Sequence, residues 1–353
     1  MKIVPVDTNN IDQGVIADAA MLLKKGGIVA MPTETVYGLA GSCDNKDAVK
    51  RLYDLKNRPQ NKPFSLAVGD AQKGREVFGV MPPFAYRLIE EFWPGPLTLI
   101  FYDTKDKVVG VRVPENPVAR RVLQAFGAGV CLPSANLSGA PEATTAEEVQ
   151  AAFNGNIDMI IDGGPCKYGK SSTVVDLTFY PFKLLRQGAV SEQKIIETFT
   201  RKRILFVCTG NTCRSPMAQF LTQIYMNKLS PYASQRYEVI SRGIAAYPGG
   251  QAASGVLQVI HENENIDVKG FASQRLNHDI LLSSDLIFTM EDEQYAHILK
   301  FEPTVEGRLF HLKKFLPPEL DGDISDPIGQ GVEAYRKLYD VLSQAITELI
   351  HWL

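Results

Sequence analysis

The run Ile204–Met217, ILFVCTGNTCRSPM, sets a cysteine and an arginine in the spacing Cys-x5-Arg. An apolar strand leads into Cys208, a turn with Gly210 and Asn211 follows, and a helix is expected to begin near Ser215–Pro216, where a proline's missing N–H costs nothing. Curled at a helix N-terminus, the loop Thr209, Gly210, Asn211, Thr212 and Cys213 would turn backbone N–H groups toward one point and cradle an anion. Arg214 adds a planar, two-pronged donor for phosphate oxygens. The same positive field favours the thiolate of Cys208. A thiolate beside a bound phosphate is a nucleophile for phosphoryl transfer, and the leaving group then needs an acid. Asp326, in Ser325–Asp326–Pro327–Ile328, is the leading candidate, although a lone Asp-Pro is more often a turn.

A second, more dispersed constellation lies upstream. Pro32–Ala40, PTETVYGLA, puts hydroxyls and a glycine just after a buried strand, Ile28–Met31, and strand exits are where α/β proteins bind ligands. Lys56, Arg58 and Lys62 follow the helical stretch Ala48–Leu55. Such a cluster suits a polyphosphate, and its plainer reading is a solvated surface patch. Arg112, in the strand-like run Val108–Val113, can pair with a carboxylate. Pro133–Gly139, PSANLSG, sets Ser134 and Asn136 on a loop after an apolar strand. Gly164–Ser171, GPCKYGKS, satisfies the pattern Gly-x4-Gly-Lys-Ser, but that nucleotide loop requires a helix directly after it. The β-branched segment Ser172–Leu177 reads as a strand instead, so we reject that motif.

These groups must be positioned by alternating strands and helices. Val15–Lys25 reads as an amphipathic helix stopped by Gly26–Gly27, and Val332–Leu353 as a packing helix with apolar residues at three- to four-residue spacing. The 353 residues predict two domains, 1–198 and 199–353, divided where Phe182–Arg186, the polar helix Ser191–Thr198 and the basic Arg201–Lys202–Arg203 precede a new strand at Ile204. With 45% hydrophobic and 22% charged residues, the composition excludes a disordered chain, a collagen-like fibre and a coiled coil. No apolar run reaches the roughly 18 residues that span a bilayer. Met1–Asp7 lacks the blocks of a signal peptide, and five cysteines are too few for a disulfide scaffold, so a reducing cytoplasm is expected. Cys43, Cys131 and Cys166 have no partners at metal-ligand spacing and read as structural, with no metal site. A net charge of −3 gives no global reason to bind nucleic acid or a membrane.

Residues 203–353 resemble the low-molecular-weight protein phosphatases, with the hallmark loop at Cys208–Pro216, CTGNTCRSP, near the start of the domain and Asp-Pro near its end. The resemblance implies that Cys208 is the nucleophile, Arg214 the phosphate ligand, Ser215 a hydrogen-bond donor to the thiolate, Asn211 the keeper of the loop's shape and Asp326 the general acid. Ser241–Gly243 and Ser284–Met290 resemble the family's second and third strand regions. Cys213 can close a reversible disulfide with Cys208, its plainer reading being a buried small residue. Thr212 matches the arginine-phosphatase branch, and Ile328 stands where tyrosine-directed members carry an aromatic residue. Phosphoarginine is therefore favoured over phosphotyrosine, on a phosphorylated protein.

Residues 4–190 resemble the YrdC family of threonylcarbamoyl-adenylate synthases, through PTETVYGLA, Lys-x-Arg, Trp93–Thr98, Ser-x-Asn, Ser171–Leu177 and Leu185–Gly188 in that order. This implies that L-threonine, bicarbonate or CO2 and ATP are joined into threonylcarbamoyl-AMP with release of pyrophosphate, for transfer to tRNA by downstream machinery, with tRNA itself a further partner. Lys56, Arg58 and Lys62 would neutralise the triphosphate with Mg2+. Ser134, Asn136 and Arg186 would hold the nucleotide, while Thr35, Arg112 and Ser172 would hold threonine. The expected fold class is α/β: a YrdC-like twisted α/β sheet domain, then a doubly wound parallel-sheet phosphatase domain. Two rivals stand beside this: an RNA-binding module in the first half, and an anion-binding sensor or a tyrosine phosphatase in the second.

Overall fold

A computed structural model describes residues 1–320 and 322–353. The chain forms two compact units, Met1–Met81 with Leu88–Ile196 and Pro82–Arg87 with Glu197–Leu353. Among the described residues, no helix is long and apolar enough to cross a membrane.

The first unit is built on a mixed sheet of ten strands: β1 (Lys2–Pro5), β2 (Val29–Met31), β3 (Gly38–Ser42), β4 (Leu66–Ala67), β5 (Leu97–Tyr102), β6 (Val108–Arg112), β7 (Val130–Cys131), β8 (Met159–Asp162), β9 (Thr173–Asp176) and β10 (Lys183–Arg186). Their order is β1-β8-β2-β3-β7-β4-β6-β5-β9-β10. Alternation along the strands divides the core between the two faces. Val29, Met31, Met159 and Ile161 pack with Leu23 and Val122 of the helices Gln13–Lys24 and Pro117–Phe126. Ala30, Leu39 and Ile160 pack on the other face with Leu52, Val149 and Phe153. β2 and β3 pair antiparallel, Met31 against Gly38, so the Thr33–Tyr37 segment spans the connection between them. The strand expected at Ser172–Leu177 is β9, and the Gly-Lys-Ser segment leads into that strand rather than into a helix.

Cys43 and Cys131 had no partners at metal-ligand spacing, yet the fold joins them in a disulfide, Cα to Cα 5.3 Å across 88 residues of sequence. The antiparallel pairing of β3 with β7, Gly41 opposite Cys131, brings them together. Local sequence carries no sign of so distant a pairing.

The second unit carries four parallel strands in the order β12-β11-β13-β14: β11 (Lys202–Cys208), β12 (Tyr237–Gly243), β13 (Leu286–Thr289) and β14 (Leu309–His311). This is the doubly wound parallel sheet read from the sequence. Ile204, Phe206 and Cys208 face the helices Arg214–Leu229 and Val332–Trp352. Leu205 and Val207 face the opposite core with Ile287, Ile298 and Leu309.

One glycine holds a strand end where a site residue sits. A Cβ on Gly188, two residues past Arg186, would lie 2.0 Å from the Ser171 carbonyl oxygen and 2.5 Å from the Ser172 carbonyl carbon. Backbone on both sides leaves nothing flexible to give way. Gly188→Ala is expected to destabilise the first unit by about 1–3 kcal/mol, seen as an earlier urea midpoint for that unit while the second unit's transition stays in place.

Candidate active sites

In the second unit, β11 delivers Cys208 to the C-terminal edge of the sheet, and the helix Arg214–Leu229 begins one residue past the loop. Cys208 is 2% exposed. Its Sγ lies 3.0 Å from Ser215 Oγ and accepts the Asn211 N–H at 3.2 Å. Asn211 adopts a left-handed backbone, φ 54°, which asparagine tolerates better than most residues. Its buried side chain ties the loop down: Nδ2 donates to Ser215 Oγ and Ser241 Oγ, and Oδ1 accepts from the Gln274 N–H at 2.9 Å. Room for the turn comes from Gly243, where a Cβ would meet Thr209 O at 2.7 Å and the Asn211 N at 2.9 Å.

Arg214 is 2% exposed and held from two sides. Nη1 meets Glu291 Oε1 at 2.5 Å and donates to Ile324 O at 3.1 Å, while Nη2 donates to Asp326 Oδ2 at 2.7 Å. Among the described residues, its buried Nε has no hydrogen-bond partner. Glu291 was missed by sequence reasoning, as was the buried Gln294, whose Nε2 donates to both Glu291 Oε2 and Thr209 Oγ1. Glu291 follows β13 at the sheet's C-terminal edge, where ligand-binding groups gather, and that position was the available signal. Gly210 and Thr212 are partly exposed on the loop. Cys213 is a free thiol, pushed up by burial, with its Sγ 3.7 Å from Tyr335 Oη. Burial likewise raises the Tyr335 hydroxyl to about 12. Ile328, after Asp326–Pro327, is exposed.

In the first unit, Lys56, Arg58, Lys62, Arg112, Ser134, Asn136, Ser172 and Arg186 all line one cavity of about 350 Å³. Lys56 is the last residue of the helix Lys46–Lys56, which Asn57 ends in a left-handed turn. It is 2% exposed, and its ammonium donates to Ser134 O at 2.5 Å, Asn136 O at 2.8 Å and Asn136 Oδ1 at 2.9 Å. An ammonium has three donors, so the protein itself engages all of them. Lys56, expected among the groups that neutralise a triphosphate, is here held against the Ser134–Asn136 loop, which it pins. Ser134 Oγ also donates to Asn136 Oδ1, and Asn136 Nδ2 donates to Ala140 O.

The three arginines share a pattern. Arg58 donates through Nε to Lys62 O and through Nη2 to Pro63 O, with its guanidinium over the Phe64 ring. Arg112 donates through Nε to Gly95 O and through Nη2 to Glu34 Oε1 at 2.6 Å and Thr35 Oγ1 at 2.8 Å. Arg186 donates through Nε to Ser172 O and through Nη2 to Ser172 Oγ, itself 2.9 Å from Thr98 Oγ1. Nη1 of each makes no hydrogen bond among the described residues, so each guanidinium is oriented in advance with one edge available. Thr35, expected to contact threonine, is fully buried and lies outside the cavity lining, which takes in Thr33 instead. The packing of the β2–β3 connection turns Thr35 toward Arg112. Glu34, also missed, uses Oε1 on Arg112 and Oε2 on the N–H groups of Glu115 and Asn116. Among the described residues, no cluster of three metal-binding side chains occurs.

Burial, with Arg58 nearby, lowers the Lys56 ammonium to about 8. Below that pH it is a cation with three donors; above it, the neutral amine keeps two, and one loop oxygen loses its partner. Polyphosphate affinity in this cavity is therefore expected to fall as pH rises through about 8, measured as equilibrium binding at constant ionic strength. A flat profile would contradict the pinning role.

Both halves of the chain have relatives. The family described as telomere recombination (Sua5, YciO and YrdC) matches residues 21–188, and the low molecular weight phosphotyrosine protein phosphatase family matches residues 203–353. Threonylcarbamoyl-AMP synthase of Bacillus subtilis is 39% identical over 190 residues, covering 51% of this chain and 55% of that protein. The chain thus spans little more than half of that relative. A putative threonylcarbamoyl-AMP synthase of Mycobacterium tuberculosis is 33% identical over 200 residues, covering 54% of this chain and 91% of that protein. The solved YwlE arginine phosphatase from Geobacillus stearothermophilus is 34% identical, covers 43% of this chain and 92% of its own, and has a TM-score of 0.38. With two sites on two units and a family match for each, the chain belongs to the Sua5/YciO/YrdC family in its first half, and its second half matches the low-molecular-weight phosphatase family over residues 203–353.

Proposed function

We propose that the chain is a bifunctional enzyme, with residues 1–198 forming a threonylcarbamoyl-AMP synthase and residues 199–353 a cysteine-dependent phosphatase. For the synthase, the carrying observation is that three arginines line one cavity with Nε and Nη2 already engaged. Arg58 and Arg186, with Lys62, meet the ATP phosphates, and Ser134 and Asn136 hold the nucleotide on the loop that Lys56 anchors. Arg112 takes the threonine carboxylate beside Ser172, with Thr35 setting its orientation. The threonine amine takes up CO2 with loss of a proton, or bicarbonate with loss of water, and the resulting carbamate attacks the α-phosphorus with loss of pyrophosphate. Fixed guanidiniums stabilise the developing phosphate charge without reorganising, and binding supplies proximity. Mg2+ accompanies ATP and neutralises its phosphates.

In the phosphatase, the carrying observation is the buried Arg214 Nε–H, which has no partner among the described residues beside the loop that begins at Cys208. A phosphate oxygen satisfies it. Binding of the dianion draws the guanidinium from Asp326, which then takes a proton and gives it to the leaving group as Cys208 Sγ attacks phosphorus. Water, with Asp326 now the base, releases phosphate from the cysteine. Thr212 on the loop and the aliphatic Ile328 favour phosphoarginine over phosphotyrosine as the group presented by a protein substrate.

The chain works in the cytoplasm, where ATP is supplied and Cys208 stays reduced. Its product passes to tRNA-modifying transfer machinery, and tRNA is a further partner.

Two experiments test this. Pyrophosphate release should require both threonine and bicarbonate, and ATP hydrolysis without them, together with salt-sensitive RNA binding, would favour an RNA-binding module. Purified protein should release phosphate faster from phosphoarginine than from phosphotyrosine peptides, with Cys208→Ser silent. The reverse order would return the domain to tyrosine substrates. No release from either, with anion binding intact, would leave a sensor.

A further inference from the structure

Glu142 is the one carboxylate among the described residues that line the first unit's cavity. Its neighbours there are cationic. Oε1 lies 3.9 Å from Arg186 Nη1, the edge of that guanidinium left over from Ser172. Its charge also acts on Lys56, opposing the effect of Arg58. The side chain is one-quarter exposed, open to whatever enters.

A site meant for a triphosphate gains nothing from a carboxylate unless something stands between the two. A bare triphosphate placed against Arg186 brings phosphate oxygens toward Glu142, and like charges a few ångströms apart repel strongly at a partly dehydrated site. A divalent cation removes the conflict, because Mg2+ is held by one or two carboxylates together with substrate phosphate oxygens and water. The donor set fits that pattern: one carboxylate, beside two arginines whose Nη1 edges are available for the remaining phosphate oxygens. Neutral side chains at this place would accept free and metal-bound nucleotide alike.

Resting on the nucleotide reading of this cavity, we propose that Glu142 is a specificity residue, which makes the site select magnesium-bound ATP over metal-free ATP by repelling the bare triphosphate and supplying an oxygen to its cation.

The test is equilibrium binding of ATP to the full chain, with excess Mg2+ and with a chelator, in the absence of threonine. The unaltered chain is expected to prefer the magnesium form by about tenfold or more. In Glu142→Gln the ratio should collapse to near unity, mainly because metal-free ATP binds more tightly. Glu142→Asp should keep the preference. A ratio unchanged in Glu142→Gln, or both affinities reduced alike, would overturn the proposal and leave Glu142 as an ion-pair partner that merely orients Arg186. If the unaltered chain binds ATP in neither form, the nucleotide reading fails and this inference falls with it.

Discussion

A cation can be buried beside an anion site only if protein oxygens meet its N–H groups, since an unmatched charge out of water costs several kcal/mol. Both sites are organised by this constraint. Lys56 draws three oxygens from the 134–136 loop, Arg112 draws Gly95, Glu34 and Thr35, Arg186 draws Ser172, and Arg214 draws Glu291, Ile324 and Asp326. These oxygens come from loops far apart in sequence. Placing them together is what the ten-stranded sheet and the four-stranded sheet accomplish.

The two sites meet the constraint with different chemistry. In the first unit, Arg58 and Arg186 rest on backbone carbonyls and a hydroxyl, and the single nearby carboxylate among the described residues, Glu142, stands 3.9 Å from Arg186. In the second unit, Arg214 is bracketed by two carboxylates. Its single charge is thus outweighed by the two carboxylates, and an incoming anion would compete with Asp326 for the guanidinium.

Much of this was legible in the sequence because the signals were local. Cys208, Asn211, Arg214 and Ser215 fall within one strand–loop–helix turn, and their types and spacing dictate an anion cradle before any fold is known. The strand at Thr173–Asp176 was readable from its β-branched residues, and it removed the Gly-Lys-Ser segment from consideration. Glu34 escaped because its meaning lies in Arg112 and in the N–H groups of Glu115 and Asn116, about 80 residues away. Lys56 was seen as a charge, and the oxygens that occupy its donors arrive only with the β7 loop. Thr33 and Thr35 are equivalent as letters; the connection between β2 and β3 sends one to the cavity and the other behind it. The Cys43–Cys131 bond is likewise a property of strand order. Residue type and short spacing report what a group can do, and long-range pairing decides which groups it meets.

The alternation of β11 carries a further implication. Cys208 shares a face with Phe206 and Ile204, while Leu205 and Val207 serve the opposite core. The address of Cys208 is therefore a matter of parity, and counting from Ile204 it is an even step away. Adding or removing a single residue in this strand would exchange the two faces, sending the thiol into the wrong layer while the loop's own letters stayed intact. An evolutionary record of this strand should therefore show free exchange among apolar side chains and almost no change in its length.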